Sequence, residues 1–516
     1  MTERSPGRAA RGRIVMLVDN AVRNDSRVQK QARSAAELGW DVVLIGRSTT
    51  QKVERFRLGD ARVRLLPVPN TLSRRRYQLR TGLLRGTLGY PNKSHAAYRQ
   101  RQVEVKRYDA RLRRDIWRQE AADGKRSRLS LGLGLGWTKA SLASAHAIGR
   151  WVARRERSTK TLAERRSRLD SPVGELSTNV LRKAMGPRAW RLMDPHLWDF
   201  ELAYAETIDR LKPEIIHAND FRMIGVGARA AVRARAQGRR VKLVYDAHEF
   251  LPGVNRSQEH PWWHPAQVAY EREYVPFADA VVTVSEPLAD MLVEEHGLQE
   301  RPAVVLNAPQ VGEASRDATA PHIRELCGIS DDTPLLVYSG VVAPHRGVAI
   351  MIEALPALDG VHVALVVAST TSPAVTGLMD QASTLGVRDR VHLLPYVAPE
   401  HVVEYVADAD IGVHPTHHHL NHEISLATKF FEYSHARLPI VVSDVKTMAE
   451  MVTRTGQGEV FRAGDRDDYV RAVRAVLADP QRYRAAYDSP GLLDEWTWRK
   501  QAEVLDTVYD KLIRDL

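Results

Sequence analysis

Residues 423–444 read Glu-Ile-Ser-Leu-Ala-Thr-Lys-Phe-Phe-Glu-Tyr-Ser-His-Ala-Arg-Leu-Pro-Ile-Val-Val-Ser-Asp. The order is a loop that opens a short helix, a stop at Pro439, then a buried strand. Lys429 and Glu432 stand at i, i+3, so both heads project from one side of that helix. Leu426 and Phe430 are one turn apart and can face a core, while the free amides near Ser425 point outward at the helix start. A helix N-terminus with a cation and a carboxylate beside it suits an anionic, hydroxylated ligand such as a nucleotide sugar. The same residues also read as an ordinary amphipathic helix with an exposed ion pair.

Working outward, short apolar strands alternate with amphipathic helices on both sides of this stretch. Upstream strand candidates are Arg13–Val18, Asp41–Gly46, Arg62–Pro67, Glu214–His217, Val241–Asp246, Ala280–Val284 and Ala303–Leu306. Those of the second half are Leu335–Ser339, His362–Ala368, Val391–Leu394, Ile411–His414, Ile440–Ser443 and Glu459–Phe461. Ser26–Leu38 reads as a helix with Val28, Ala32, Ala35 and Leu38 on one face and Gly39 at its end. The alternation predicts α/β architecture, with parallel sheets covered by helices on both faces. At 516 residues the chain exceeds one core. Two doubly wound units joined near Asn307–Pro309 are the economical reading, with ligands outside the carboxyl ends of the strands and a cleft where the sheets face.

The net charge of +12 is uneven. Between Thr71 and Phe200 there are 30 Lys+Arg against 11 Asp+Glu, a surplus of 19, so the rest of the chain sums to −7. This basic stretch, about residues 70–199, interrupts the first half and carries Arg74–Arg76, Arg113-Arg114, Arg165-Arg166 and several Trp. Much of it can be helical. Its run Leu129 to Trp137, alternating Leu and Gly from Leu131 to Gly136, has no strand before it, so a flexible connector or an apolar wedge is preferred to a phosphate loop. The single cysteine, Cys327, excludes an intrachain disulfide and fits a reducing compartment. No apolar run reaches signal or transmembrane length, so a soluble or surface-attached cytoplasmic protein is expected.

Several constellations carry candidate chemistry. His248, in Tyr245-Asp246-Ala247-His248-Glu249, follows a strand at its carboxyl end and could hydrogen-bond a substrate hydroxyl. Ser339 to Gly347 also follows a strand; Gly340 lets backbone approach closely, and Arg346 before Gly347 could clamp phosphate oxygens. Histidines 414, 417, 418, 419 and 422 form a cluster without metal-ligand spacing, read as a polar loop rather than a metal centre. Asn24-Asp25-Ser26-Arg27 opens the first helix; Asp25 or Ser26 caps it, or these groups edge the cleft and touch an acceptor.

Together these pieces resemble the large family 4 (group 1) retaining glycosyltransferases of GT-B fold. The matching stretches are Asn24–Val28, Lys212–His217, Val244–Glu249, Ala278–Ser285, Arg346-Gly347 and Lys429–Tyr433 through Asp444. The resemblance implies a Rossmann-like acceptor domain (12–306) with the basic insert, a Rossmann-like donor domain (307–490) and a final helix (491–516) crossing back. It implies sugar transfer from a nucleotide diphosphate sugar to a hydroxyl acceptor, with no cofactor and no metal. Glu432 would accept bonds from the donor ribose, with Lys429 in the same motif. Arg346, with Gly340 and Gly347, would hold the diphosphate, and the amides near Ser425 and Leu426 would contact phosphate and sugar. His248 and Glu423 would lie by the transferred sugar, and Asn24, Asp25 and Arg27 on the acceptor side.

Several positions depart from the family pattern: Val341 follows Gly340 where Arg is common, Ile424 stands where a first glutamate belongs, Arg437 replaces the glycine that ends the helix, Ala368-Ser369-Thr370 replaces a Gly-Asp-Gly stretch, and the glycine pair after the first strand is missing. The alternative function is a non-catalytic nucleotide-sugar sensor or scaffold. For the insert, docking of residues 71–200 on an anionic membrane is preferred, delivering a lipid-linked acceptor. Nucleic-acid binding is set aside because no recognisable module frames the basic runs.

Overall fold

The structure, a computed structural model, describes residues 11–72, 90, 93–162, 190–254, 263–311 and 322–516. The chain divides into two compact units, one of residues 1–282, 295–300 and 506–516, the other of 283–294 and 301–505. The Arg74–Arg76 and Arg165-Arg166 runs lie outside the described residues.

The first unit is wound on β1 (Arg13–Leu17), β2 (Asp41–Arg47), β3 (Glu54–Leu58), β4 (Ala61–Leu66), β5 (Ile215–Asn219), β6 (Lys242–Ala247) and β7 (Ala280–Thr283), ordered β3-β4-β2-β1-β5-β6-β7. β1 pairs in parallel with β2 and β5, and β5 with β6. The sequence reading missed β3, which is antiparallel to β4. Its charged residues Glu54, Arg55 and Arg57 suit a sheet edge and hide the strand from an apolar search. Around the sheet lie α1 (Ser26–Glu37), α2 (Lys93–Ala122), α3 (Arg128–Leu162), α4 (Leu197–Leu211), α5 (Phe221–Ala236) and α6 (Trp263–Tyr274).

After the short β8 (Ala303–Val304), the second unit is a six-stranded parallel sheet. Its strands are β9 (Leu335–Ser339), β10 (His362–Val367), β11 (Val391–Pro395), β12 (Ile411–His414), β13 (Ile440–Ser443) and β14 (Gly458–Phe461), ordered β11-β10-β9-β12-β13-β14. β9, β12 and β13 are buried along their whole length, as expected for parallel strands covered on both faces. Helices α7 (Leu420–Glu423) and α8 (Thr428–His435) lie between β12 and β13, and α9 (Lys446–Thr455) lies between β13 and β14. The last helix is α10 (Trp498–Arg514).

The Leu-Gly run is no connector: it lies inside α3, which packs along α2 as a helical hairpin. The reason is visible at Gly134, where an added Cβ would overlap the Trp117 ring of α2. The glycine lets two long helices approach closely, so an element with a poor helix propensity is held by tertiary packing. Ala96, Val103 and Val152 of this hairpin form a small core with Tyr90.

Arg437 follows the helix stop with φ 55°, the left-handed conformation for which the family pattern places glycine here. An L side chain there costs about 1 kcal/mol relative to glycine. Arg437→Gly is therefore expected to raise the second unit's stability by about 1 kcal/mol, read as a higher denaturant midpoint at unchanged slope. The exposed ion pair with Asp488 that it would lose contributes little.

Candidate functional site

In the second unit the chemistry gathers at the carboxyl ends of β9 and β12, where the strand order switches direction. α8 is seated there by its apolar face and one polar tie. Phe430 and Phe431 pack in the core against Trp496, with ring centroids 5.4 and 5.7 Å away. The Tyr433 ring lies so close over Gly412 of β12 that a Cβ there would approach to 2.5 Å, and its hydroxyl accepts the Ser339 amide at 3.0 Å. That seat fixes where Lys429 and Glu432 project. An added Cβ at Gly340 would lie 3.5 Å from Lys429 Cε, so the loop after β9 and the first turn of α8 meet.

Arg346 closes the same corner. Gly347 has φ 65°, and a Cβ there would overlap the Pro415 carbonyl oxygen, so the turn carrying Arg346 lies directly on the loop after β12. Only glycine combines that φ with that contact. Burial raises the pKa of the Tyr396 phenol; Glu432 raises it further and Arg346 lowers it. Both side chains therefore act on one ring. Neither Arg346 nor Lys429 has an ion-pair partner among the described residues. Glu432 is 9 % exposed, and its Oε2 is buried without a hydrogen-bond partner. The exposed Lys429–Glu432 ion pair allowed by the sequence does not form.

Other candidates fall differently. α8 starts at Thr428 with Ala427 as its cap, so Ser425 and Leu426 lie in the turn before it, and the Ser425 hydroxyl donates to the Asn421 carbonyl at 2.6 Å. Glu423 is engaged: Oε1 pairs with His418 at 2.6 Å, and Oε2 accepts the Lys446 amide at the start of α9 at 2.7 Å. Val341, at the position where the resemblance calls for Arg, is exposed. Among the described residues no group of three or more His, Cys, Asp or Glu is placed to hold a metal ion.

His414 is the member of the histidine cluster that sequence reading undervalued. It is buried at the end of β12, and burial followed by the charges of Arg346 and Lys429 pushes its pKa down to about 3. An unfolded histidine titrates near 6.5. Below that pH the unfolded chain takes up a proton that the folded one refuses, so stability falls as pH drops from 6.5 toward 3. The expected slope is at most about 1.4 kcal/mol per pH unit from this group. His414→Asn should flatten that part of a stability-versus-pH curve measured by chemical unfolding.

The first unit carries its own constellation, also at the carboxyl ends of its strands. Asp246 at the end of β6 is fully buried. Arg27 of α1 donates Nε and Nη2 to its two oxygens at 3.0 and 2.9 Å, and Gln31 donates at 2.6 Å. His248 Nε2 stands 3.3 Å from the same carboxylate, and His217 Nε2 3.7 Å. His217 Nδ1 meets the Tyr509 hydroxyl of α10 at 2.7 Å. Burial opposes ionisation of Asp246, but Arg27, then His248 and His217, hold its carboxyl well below the usual range. Burial also opposes charge on His248, but Asp246 outweighs it and the pKa is raised.

Of the acceptor-side candidates, Arg27 is buried in that ion pair, Asp25 caps α1 by accepting the Val28 amide at 3.2 Å, and Asn24 is exposed. The loop that bears them contains Val22 at φ 69°, a strained conformation for a β-branched residue. The sequence reading missed Asp246 because it singled out the histidine two residues on. It missed Tyr433 because an aromatic at helical spacing reads as core. A signal for Asp246 was present: an acid at the end of an apolar parallel strand must find a buried partner.

Two α/β units, each with polar groups at the carboxyl ends of a parallel sheet, define the GT-B class of glycosyltransferase fold. The glycosyl transferases group 1 model matches residues 321–489, and the glycosyltransferase family 4 model matches 148–308. The chain belongs to this group 1, family 4 type of glycosyltransferase. It is 29 % identical over 227 residues to a D-inositol 3-phosphate glycosyltransferase of Geodermatophilus obscurus, covering 41 % of this chain and 48 % of that one. It is 26 % identical over 216 residues to an alpha-D-kanosaminyltransferase of Streptomyces kanamyceticus, covering 41 % and 54 %. These matches span about half the length of those relatives. A sucrose-phosphate synthase structure from Thermosynechococcus elongatus aligns with a TM-score of 0.61 at 13 % identity, covering 98 % of this chain and 100 % of that one; at that identity it speaks for the fold alone.

Proposed function

We propose that this protein transfers a sugar from a nucleotide diphosphate sugar to a hydroxyl acceptor, with retention at the transferred carbon and without a metal or cofactor. The observation that carries the reading is the corner of the second unit where two unpaired cations, Arg346 and Lys429, stand with an unpartnered buried carboxylate, Glu432. Fixed cations there would neutralise the charge that grows on a departing diphosphate, which is the largest electrostatic demand of the reaction. The Glu432 carboxylate would accept hydrogen bonds from ribose hydroxyls, a strong charge-assisted contact. His248 of the first unit, its ring oriented by Asp246, is assigned to the transferred sugar. Glu423, already holding His418 and the α9 amide, is the weaker of the two catalytic candidates.

The non-catalytic sensor gains no support from relatives named as transferases. Among the described residues no helix is long and apolar enough to cross a membrane. We place the protein in the cytoplasm, attached at the inner membrane surface through the basic segment 71–200, with a lipid-linked hydroxyl as acceptor. A panel of nucleotide diphosphate sugars, followed by thermal shift and then by transfer to hydroxyl acceptors, tests the reading. A donor present at 100 times its dissociation constant should stabilise the protein by about 2.7 kcal/mol. Transfer should persist in a chelator. A panel in which no donor raises the melting temperature overturns the assignment.

A further inference from the structure

α3 has two faces of different character. Gly134, Thr138, Ala145 and Val152 are buried. Leu129, Leu133, Trp137, Ile148 and Trp151 follow one another at spacings of 4, 4, 11 and 3 residues, which a 3.6-residue turn places on one stripe. They are 84, 79, 67, 37 and 51 % exposed. Large apolar side chains lined up in water along more than six turns are costly and mark an interaction surface. Lys139, Arg150 and Arg154 run beside the stripe and are exposed, whereas the acid of the helix, Glu156, is turned to Gln100 of α2.

From this arrangement we infer that the Leu129–Trp151 stripe of α3 is the face by which the protein lies on an anionic lipid surface. It narrows the surface attachment proposed above to one helix face and rests on that reading. The occupant follows from the chemistry. Two Trp and two Leu suit the boundary between headgroups and acyl chains, and flanking cations complement lipid phosphates. The helix lies in the interface and does not span it.

The test is co-sedimentation of the full-length protein with vesicles of phosphatidylglycerol and phosphatidylcholine, beside vesicles of phosphatidylcholine alone. The Leu129→Ser/Leu133→Ser/Trp137→Ser variant changes the three most exposed side chains of the stripe and should keep its unfolding midpoint while partitioning at least about tenfold less. Lys139→Glu/Arg150→Glu should lose binding to the anionic vesicles alone. Brominated acyl chains should quench the wild type more than the triple variant. Equal sedimentation of wild type and triple variant overturns the inference. So does equal binding to both vesicle types, or a stripe-dependent dimer in light scattering that ignores vesicles. Transfer to a water-soluble acceptor, measured in parallel, separates this failure from a failure of the transferase reading.

Discussion

Asp246→Asn is expected to destabilise the first unit by about 3–5 kcal/mol, because it removes the buried carboxylate that Arg27 grips with two donors. Arg27 is 4 % exposed and gives Asp246 a bidentate contact, so no water can replace the lost charge. Removing both charges should hurt less than removing one: Arg27→Met with Asp246→Asn is expected to recover part of the loss, as a double-mutant cycle in urea would show. The pH dependence follows from the signs. The folded pKa of Asp246 is depressed, so its stabilisation is in full force above the unfolded value of 3.8 and is lost as the pH falls below it toward the folded value. His248 has a raised folded pKa, so its contribution is complete below 6.5 and fades as pH rises through the folded value. Without the Asp246 charge, burial and Arg27 both lower the His248 pKa against a smaller rise from Asp220, and its NMR titration should move to lower pH. An unchanged titration would mean that Asp246 does not govern that ring.

Glu432→Gln is expected to lower activity while leaving stability nearly unchanged. Hydrogen bonds to a charged group contribute about 1.5–3 kcal/mol, so losing the ribose contact should reduce kcat/KM roughly 10- to 100-fold. The carboxylate Oε2 is buried with no donor, so the near-isosteric Gln breaks no hydrogen bond of the fold and stability should stay within about 0.5 kcal/mol. A residue that merely held the fold would lose both. Arg346→Ala gives the companion result, weaker donor binding with little change in folding, since no ion pair is broken. If Glu432→Gln turns over donor at the wild-type rate, the assignment of this corner as the donor site fails.

The alternation of strands and helices is legible in the chain alone, because a strand covered on both faces must be apolar along its length and helices between such strands must be amphipathic. Leu335–Ser339 and Ile440–Ser443 could be read that way to the residue. The strain at Arg437 was legible only through the resemblance, whose pattern places glycine there, and the backbone bears it out with φ 55°. The edge strand Glu54–Leu58 escaped because its positions are nowhere fully buried and carry charge, as suits an edge. Which polar groups are paired, by contrast, depends on how the elements pack. Glu423 and Glu432 look alike in one stretch of chain, yet one caps α9 and holds His418 while the other is left without a donor. The same holds for the Leu-Gly run, whose helix depends on a Trp117 contact from another helix. Local periodicity fixes where apolar surface lies along the chain; whether a charge finds a partner depends on segments hundreds of residues away, as Asp246 does on Arg27.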